Sequence, residues 1–366
     1  MPGYNPVPSG GFRVVYEYAN HLVARGHRVA VIQPRRLKYP PPERWSPYRW
    51  ARRQAAGYRT RFSRLTAPDW QGIDDRVEQL LTRDSGWRYL PDADALFATS
   101  WHTVRSVLEC PPEKGAKCYF IQGYESYHAR KDLVDATWRA PLHKVVIAEW
   151  LVRLGEELGC RDLTYIPNAI DHTRYQLVQR ITGRRRQVAM VFSTAPVKGS
   201  VDGIEALRVV KERFPDVRVV LFGVSSPQPW IPAWAKYYRN PPQDFIVNEI
   251  YNQSSIFLAP SLSEGLGLPP LEAAACGCAV VATDIGGFRE RFTDQVTALL
   301  SPPGNPEALA RNVLRLLEDD DRRVRLAAAA KQVVSQLRWQ RSADLFEQFL
   351  ACVVDNESES PRTICS

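Results

Sequence analysis

Ser261-Leu262-Ser263-Glu264-Gly265-Leu266-Gly267-Leu268-Pro269-Pro270-Leu271-Glu272-Ala273-Ala274-Ala275-Cys276-Gly277 decides the fold of this chain. It sets two carboxylates, Glu264 and Glu272, eight positions apart, with two glycines and a double proline between them. An apolar strand over 255–259 leads in, and a second over 278–283 leads out. The pattern is strand, glycine-bearing loop, short helix, strand. Pro269 and Pro270 suit the first helical turn, where a missing N–H costs nothing. Leu271 to Cys276 are helix formers, and Gly277 can take the left-handed cap. The N–H groups of Gly265, Leu266, Gly267 and Leu268 are then expected to face an anion at the carboxyl edge of a parallel sheet. Glu264 precedes the helix and Glu272 is expected in its first turn. A bare carboxylate would repel phosphate, so both read as acceptors for hydroxyls flanking it, a ribose on one side and a sugar on the other. At either glutamate alone, an ordinary helix start with an acid favoured by the dipole would look the same.

The block resembles the E-x7-E signature of the family 4 retaining glycosyltransferases, with Glu264 and Glu272 in its two acidic positions. The resemblance covers nearly the whole chain. Tyr165-Ile166-Pro167-Asn168-Ala169-Ile170-Asp171 is similar to the family's crossover into its second domain, and Lys198-Gly199 to its "KG" pair. Gly286-Gly287 with Glu290, then Ala298-Leu299-Leu300, resemble its "GG…E…G.LV" segment, and Leu337-Arg338-Trp339 its "FSW". Residues 20–29 resemble its first helix and second strand. Tyr119-Phe120-Ile121-Gln122-Gly123-Tyr124-Glu125 is similar to an element of bacterial rhamnosyltransferase-like members, with Gly123 replacing an Asp; it leans the donor towards a deoxysugar.

The resemblance implies an α/β chain of GT-B architecture, two facing Rossmann-like doubly wound domains. Expected boundaries are 1–166 for the acceptor-side domain and 167–336 for the nucleotide-sugar domain. A helix over 337–355 is expected to pack back on the first domain, and 356–366 to form a disordered tail. Residues 172–186, with Gly183-Arg184-Arg185-Arg186, read as the connection between domains. Alternating strand and helix patterns agree with a doubly wound sheet. Strands are expected over 28–33, 95–98, 117–121, 144–148, 188–192 and 217–222. Helices are expected over 12–25, 76–83, 149–158, 203–213, 245–251, 307–318 and 322–337. In the family a buried strand precedes the loop that Pro8-Ser9-Gly10-Gly11-Phe12-Arg13 matches; here Met1 begins inside that loop, so the first strand is expected to be missing and the start misassigned.

Bulk properties agree. A chain of 366 residues with 45% hydrophobic content is long enough for two cores. No run of about 18 apolar residues suggests a membrane span. The N-terminus has no basic-then-apolar leader. Seven scattered cysteines read as reduced cytosolic thiols. The net charge of +8 suggests an anionic partner. Ten Lys or Arg residues lie between Arg35 and Arg64 against one acid, Glu43, with Trp45, Tyr48, Trp50, Tyr58 and Phe62 interleaved. That region suits peripheral contact with the inner face of the plasma membrane. A solvated helical face with core aromatics is the alternative. No nucleic-acid-binding fold is readable, so no nucleic acid partner is expected.

The function implied is a cytoplasmic, bacterial hexosyl or deoxyhexosyl transferase of polysaccharide biosynthesis. It would move a sugar from a nucleotide-diphosphate sugar to a glycan, lipid-linked or natural-product acceptor, with retention and without a metal. Glu264, Lys198 and His102 are the expected catalytic residues. Gly10, Gly11, Gly265, Leu266, Gly267 and Glu272 are the expected donor-binding residues. Glu272 would hold the ribose, Glu264 the sugar hydroxyls, and Lys198 the diphosphate, whose growing charge it stabilises. Glycines 10 and 11 would approach the diphosphate from the opposite domain. Gln122 and Glu125 are acceptor-side candidates. His102 is expected in a loop after the strand at Leu96; a structural role is its alternative. Ser193 stands where the family has an arginine, with Arg13 and Arg289 as substitutes. That departure keeps open a non-catalytic sugar-nucleotide-binding homologue, beside a sugar-nucleotide epimerase of the same fold. Asp92-Ala93-Asp94 has the letters of a metal site but reads as turn chemistry.

Overall fold

The computed structural model describes residues 1–3, 5, 7–38, 62–64 and 70–359. The chain divides into two compact units, Met1–Pro167 with Gln340–Ser366, and Asn168–Trp339.

The first unit opens with α1 (Gly10–Ala24), β1 (Ala30–Pro34), β2 (Phe62–Arg64) and β3 (Glu78–Thr82). It continues with β4 (Ala95–Ala98), α2 (Trp101–Leu108), β5 (Ala116–Ile121), α3 (Lys131–Trp138), β6 (His143–Val146), α4 (Glu149–Glu157) and β7 (Leu163–Tyr165). Strands β4-β5-β6-β7 form one parallel sheet, and β1-β3-β2 a smaller one. Phe12, Tyr16, Ala19 and Val23 recur at helical spacing on α1 and pack on Val31 and Val77. The expected helix over 76–83 is instead β3, paired in parallel with β1 from Ala30↔Glu78 to Pro34↔Thr82. Its apolar run is too short for periodicity to separate helix from strand, and the edge of β1 decides.

Among the described residues no ladder joins the two sheets. The Met1 amine donates to the Ile32 carbonyl at 3.1 Å, and Thr99 Oγ1 approaches Met1 Sδ at 3.8 Å. Burial pushes that amine down to about 5. The basic stretch around 35–64 lies for the most part outside the described residues, as do residues 360–366 of the expected tail. The last helix, α11 (Trp339–Glu359), runs into that expected tail. Its Phe346 packs on Tyr18, Phe97 and Phe120 with centroids 4.6, 5.3 and 6.0 Å apart. Among the described residues no helix is long and apolar enough to cross a membrane.

The second unit runs β8 (Gln187–Val191), α5 (Ser200–Arg213), β9 (Arg218–Gly223), β10 (Ala235–Arg239) and α6 (Gln243–Phe245), which continues as a π-helix (Ile246–Tyr251). Then come β11 (Ile256–Ala259), α7 (Leu268–Ala275), β12 (Ala279–Thr283), α8 (Gly286–Arg289), β13 (Leu299–Ser301), α9 (Pro306–Glu318) and α10 (Asp320–Val334). Its six strands are all parallel, in the order β10-β9-β8-β11-β12-β13. Every residue of β11 and β12 is buried, as continuous apolar runs in a central parallel sheet should be. From β8 the order runs outward one way, and from β11 the other. The carboxyl ends of β8 and β11 therefore flank the topological switch point, where such sheets open a crevice.

Residues 172–186 belong to this second unit rather than to a free connection. The Arg184 guanidinium donates to the carbonyls of Tyr251, Ser254, Gln179 and Cys276 at 3.2, 2.9, 2.9 and 2.6 Å. A run of three arginines looks like a solvated linker in sequence. One of them instead ties the segment to the C-terminal end of α7, where a cation suits the helix dipole.

Candidate functional site

The two strands at the switch point each deliver part of one cluster. After β8 the chain passes Ser193 and makes a single 3-10 turn, Pro196–Lys198. After β11 it enters the loop 260–267. Lys198 Nζ donates to both carboxylate oxygens of Glu264, at 2.7 and 2.9 Å. Ser261 Oγ donates to Glu264 Oε1 at 2.9 Å. The Leu262 amide donates to the Val197 carbonyl at 2.8 Å, so backbone as well as side chains join the turn to the loop. The carboxylate is the more buried partner, with side-chain exposures of 15% for Glu264 and 39% for Lys198.

Two glycines make this approach possible. Gly199 sits at φ +60, and a Cβ there would fall 2.0 Å from the Pro260 carbonyl oxygen. A Cβ on Gly287 would fall 2.4 Å from the Glu264 carbonyl oxygen. Each glycine presses one side of the site against the other, which gives the Lys198-Gly199 and Gly286-Gly287 pairs a steric reason.

Gly267 is the N-cap of α7. Among the described residues, the N–H groups of Leu266, Gly267 and Leu268 have no protein acceptor. They stand beside Glu264 at the positive end of the helix. Glu272 is the fifth residue of α7, not in its first turn, because the helix starts at Leu268, ahead of the two prolines. It is 5% exposed, and Tyr251 Oη donates to its Oε2 at 2.9 Å.

The candidate cations differ in their engagements. Arg289 forks onto Asp284. Ser193 is built into the loop: its amide donates to Ser200 Oγ at 2.9 Å, and its own Oγ accepts from the Ala195 amide at 3.2 Å. Arg13 lies in the first unit, on α1.

Two expected residues of the first unit, His102 and Glu125, form a second cluster. His102 is in the first turn of α2 rather than in a loop. Ser100 Oγ lies 3.0 Å from His102 Nδ1 and donates to Glu125 Oε1 at 3.1 Å. Glu125 Oε2 accepts from the Trp101 amide at 2.9 Å. Glu125 thus caps α2 in place of Ser100, whose hydroxyl is turned to the carboxylate. With Glu125 ionised, the Ser100 proton goes to it, so His102 Nδ1 must carry a hydrogen and donate. Burial raises the Glu125 carboxyl above its ordinary value, against the pull of these two donors.

Gly10 and Gly11 open α1 rather than the loop before it. Gln122 Nε2 donates to the Gly11 carbonyl at 3.1 Å, which joins two expected site residues. Asp92 pairs with Lys114 at 2.6 Å, and among the described residues no group of three or more His, Cys, Asp or Glu side chains gathers as a metal centre. Tyr251 and Ser261 were not singled out from sequence. Ser261 lies three residues before Glu264 in the quoted block; nothing in the residue pattern marks Tyr251.

Residues 173–333 match the family model described as glycosyl transferases group 1. A phosphatidyl-myo-inositol mannosyltransferase of Mycobacterium tuberculosis is 30% identical over 198 residues, 50% of this chain and 52% of that protein. The chain matches its first curated relatives over 23% to 52% of their own lengths. Among solved structures, a sucrose-phosphate synthase from Thermosynechococcus elongatus superposes with a TM-score of 0.72 at 16% identity, covering 94% of each chain. HepE of Anabaena, solved with UDP and glucose, superposes with a TM-score of 0.70 at 16% identity, covering 95% of this chain and 97% of its own. The chain has the GT-B fold of two Rossmann-like domains, and its residues 173–333 are similar to the glycosyl transferases group 1 family.

Proposed function

We propose that the chain is a glycosyltransferase that moves a sugar from a nucleotide-diphosphate sugar to a hydroxyl of a glycan, lipid-linked or natural-product acceptor, with retention. The observation that carries the reading is the Lys198–Glu264 pair at the switch point, beside the amides of Leu266, Gly267 and Leu268, which have no protein acceptor among the described residues. Lysine and amides supply positive charge for a diphosphate, which gains negative charge as the glycosidic bond breaks. Glu264 has acceptor capacity beyond its two donors and can take a sugar hydroxyl. Glu272, one helical turn deeper, suits the ribose. His102 suits a hydroxyl of the sugar or the acceptor. The relatives support the class: one is named a mannosyltransferase, and HepE was solved with UDP and glucose.

The test is incubation of the full chain with a panel of nucleotide sugars and candidate acceptors, read by mass spectrometry for product and by proton NMR for anomeric configuration. Transfer with retained configuration supports the reading; an inverted product would sink the mechanism while leaving the class. A second reading, a non-catalytic sugar-nucleotide-binding homologue, is favoured by Ser193, which closes its loop with hydroxyl hydrogen bonds where a cation is expected. Donor binding without product across the panel would select it.

A further inference from the structure

Helix α6 ends in a turn of different width. Across Ile246–Tyr251 the backbone is π-helical, and the Asn252 amide donates to Val247, five residues back, at 2.9 Å. The Asn252 side-chain amide reaches the same carbonyl at 3.0 Å. Such turns are rare, and they frequently lie at functional sites. Tyr251, the last residue of this one, is 1% exposed. Its ring is held by Tyr175, Phe222 and Phe257, with centroids 6.4, 5.7 and 5.7 Å away. A ring fixed by three neighbours has no freedom to move its hydroxyl. That hydroxyl donates to Glu272 Oε2 at 2.9 Å.

We infer that Tyr251 is a positioning residue for nucleotide recognition: its hydroxyl fixes the Glu272 carboxylate in the orientation that accepts from ribose hydroxyls, and the π-turn places that hydroxyl. The inference rests on the donor-site reading above. A glutamate has three side-chain torsions, and an unanchored one must be ordered when the ligand binds, which weakens binding. Tyr251 orders it beforehand. Burial, then the charge of Glu272, push the phenol far above its ordinary value, so it remains a donor at every working pH. If the tyrosine did no more than satisfy a buried carboxylate, its loss would lower stability without changing which sugar the nucleotide must carry.

The experiment uses the full chain and calorimetric binding of UDP, GDP and ADP. The tightest binder is then compared with its 2′,3′-dideoxyribose counterpart. The wild-type chain is expected to prefer the ribose form by about tenfold or more, the worth of one or two hydrogen bonds to a charged group. Tyr251→Phe keeps the ring and its three neighbours. It is expected to cut that preference at least about threefold while leaving dideoxy affinity within about twofold. Glu272→Ala is expected to abolish the preference. A Tyr251→Phe variant that keeps the full preference, or weakens both forms alike, overturns the inference while the donor site stands. A preference that survives Glu272→Ala overturns the ribose assignment and this inference with it. Failure of the wild-type chain to bind any of the three diphosphates overturns the donor-site reading itself.

Discussion

Glu264 accepts from Lys198 through both oxygens and from Ser261 through one, so cation and carboxylate arrive at the site already aligned. Removal of the lysine takes away the charge that meets a leaving diphosphate and strands the glutamate. Lys198→Ala is expected to lower kcat/KM by about 10²–10³-fold, mostly in kcat, by steady-state kinetics. Glu125 gives a prediction of different sign. Burial raises its carboxyl above the ordinary 4.5, so its contribution to stability is fully present below that value and is lost as pH rises through the folded value. The stability difference between wild type and Glu125→Gln should therefore favour wild type more at about pH 4.5 than at about pH 7.5 in urea titrations. An unchanged difference would contradict the burial of this carboxylate. The acids at 264 and 272 were readable because their spacing is a local pattern. The engagement of Glu125 with Ser100 and Trp101 was not, since it joins residues some 24 positions apart on different elements.

Turns and helices were legible where the signal is chemical and local. Gly265, Gly267 and the two prolines announced α7, and Gly26 the end of α1. Where a pairing partner decides, local reading failed: Glu78–Thr82 became a strand because β1 offered it an edge. The π-turn was also hidden. Burial of Ile246, Val247, Ile250 and Tyr251 fits helical spacing at either width over so short a run. Arg184 was read as part of a linker because its carbonyl partners at Tyr251, Ser254 and Cys276 lie far away in sequence. Arg184→Ala removes the charged donor these carbonyls share and should destabilise the second unit by about 2–4 kcal/mol in urea titration. Gly287→Ala drives a methyl group into the Glu264 carbonyl. It should cost about 1–3 kcal/mol and raise KM for the donor, because the displaced loop carries the site.

The second unit holds Lys198, Glu264, Glu272 and Tyr251 together with its own buried core around the six-stranded sheet. A fragment of residues 168–339 should therefore fold, by far-UV circular dichroism, and bind a nucleoside diphosphate, while catalysing no transfer. The first unit should not tolerate the reciprocal cut, since α11 supplies Phe346 and Phe349 to its aromatic cluster with Tyr18, Phe97 and Phe120. The α/β class was visible in the strand–helix alternation, and the GT-B architecture was implied by the family resemblance that the quoted block carries. The most direct measurement is release of nucleoside diphosphate from UDP-, GDP-, ADP- and dTDP-sugars by the full chain, beside Glu264→Ala and Glu272→Ala. The expected result is release from one donor class, abolished by the Glu264 change and strongly reduced by the Glu272 change. Release from none, or release that both substitutions leave untouched, would contradict the assignment of this site to glycosyl transfer.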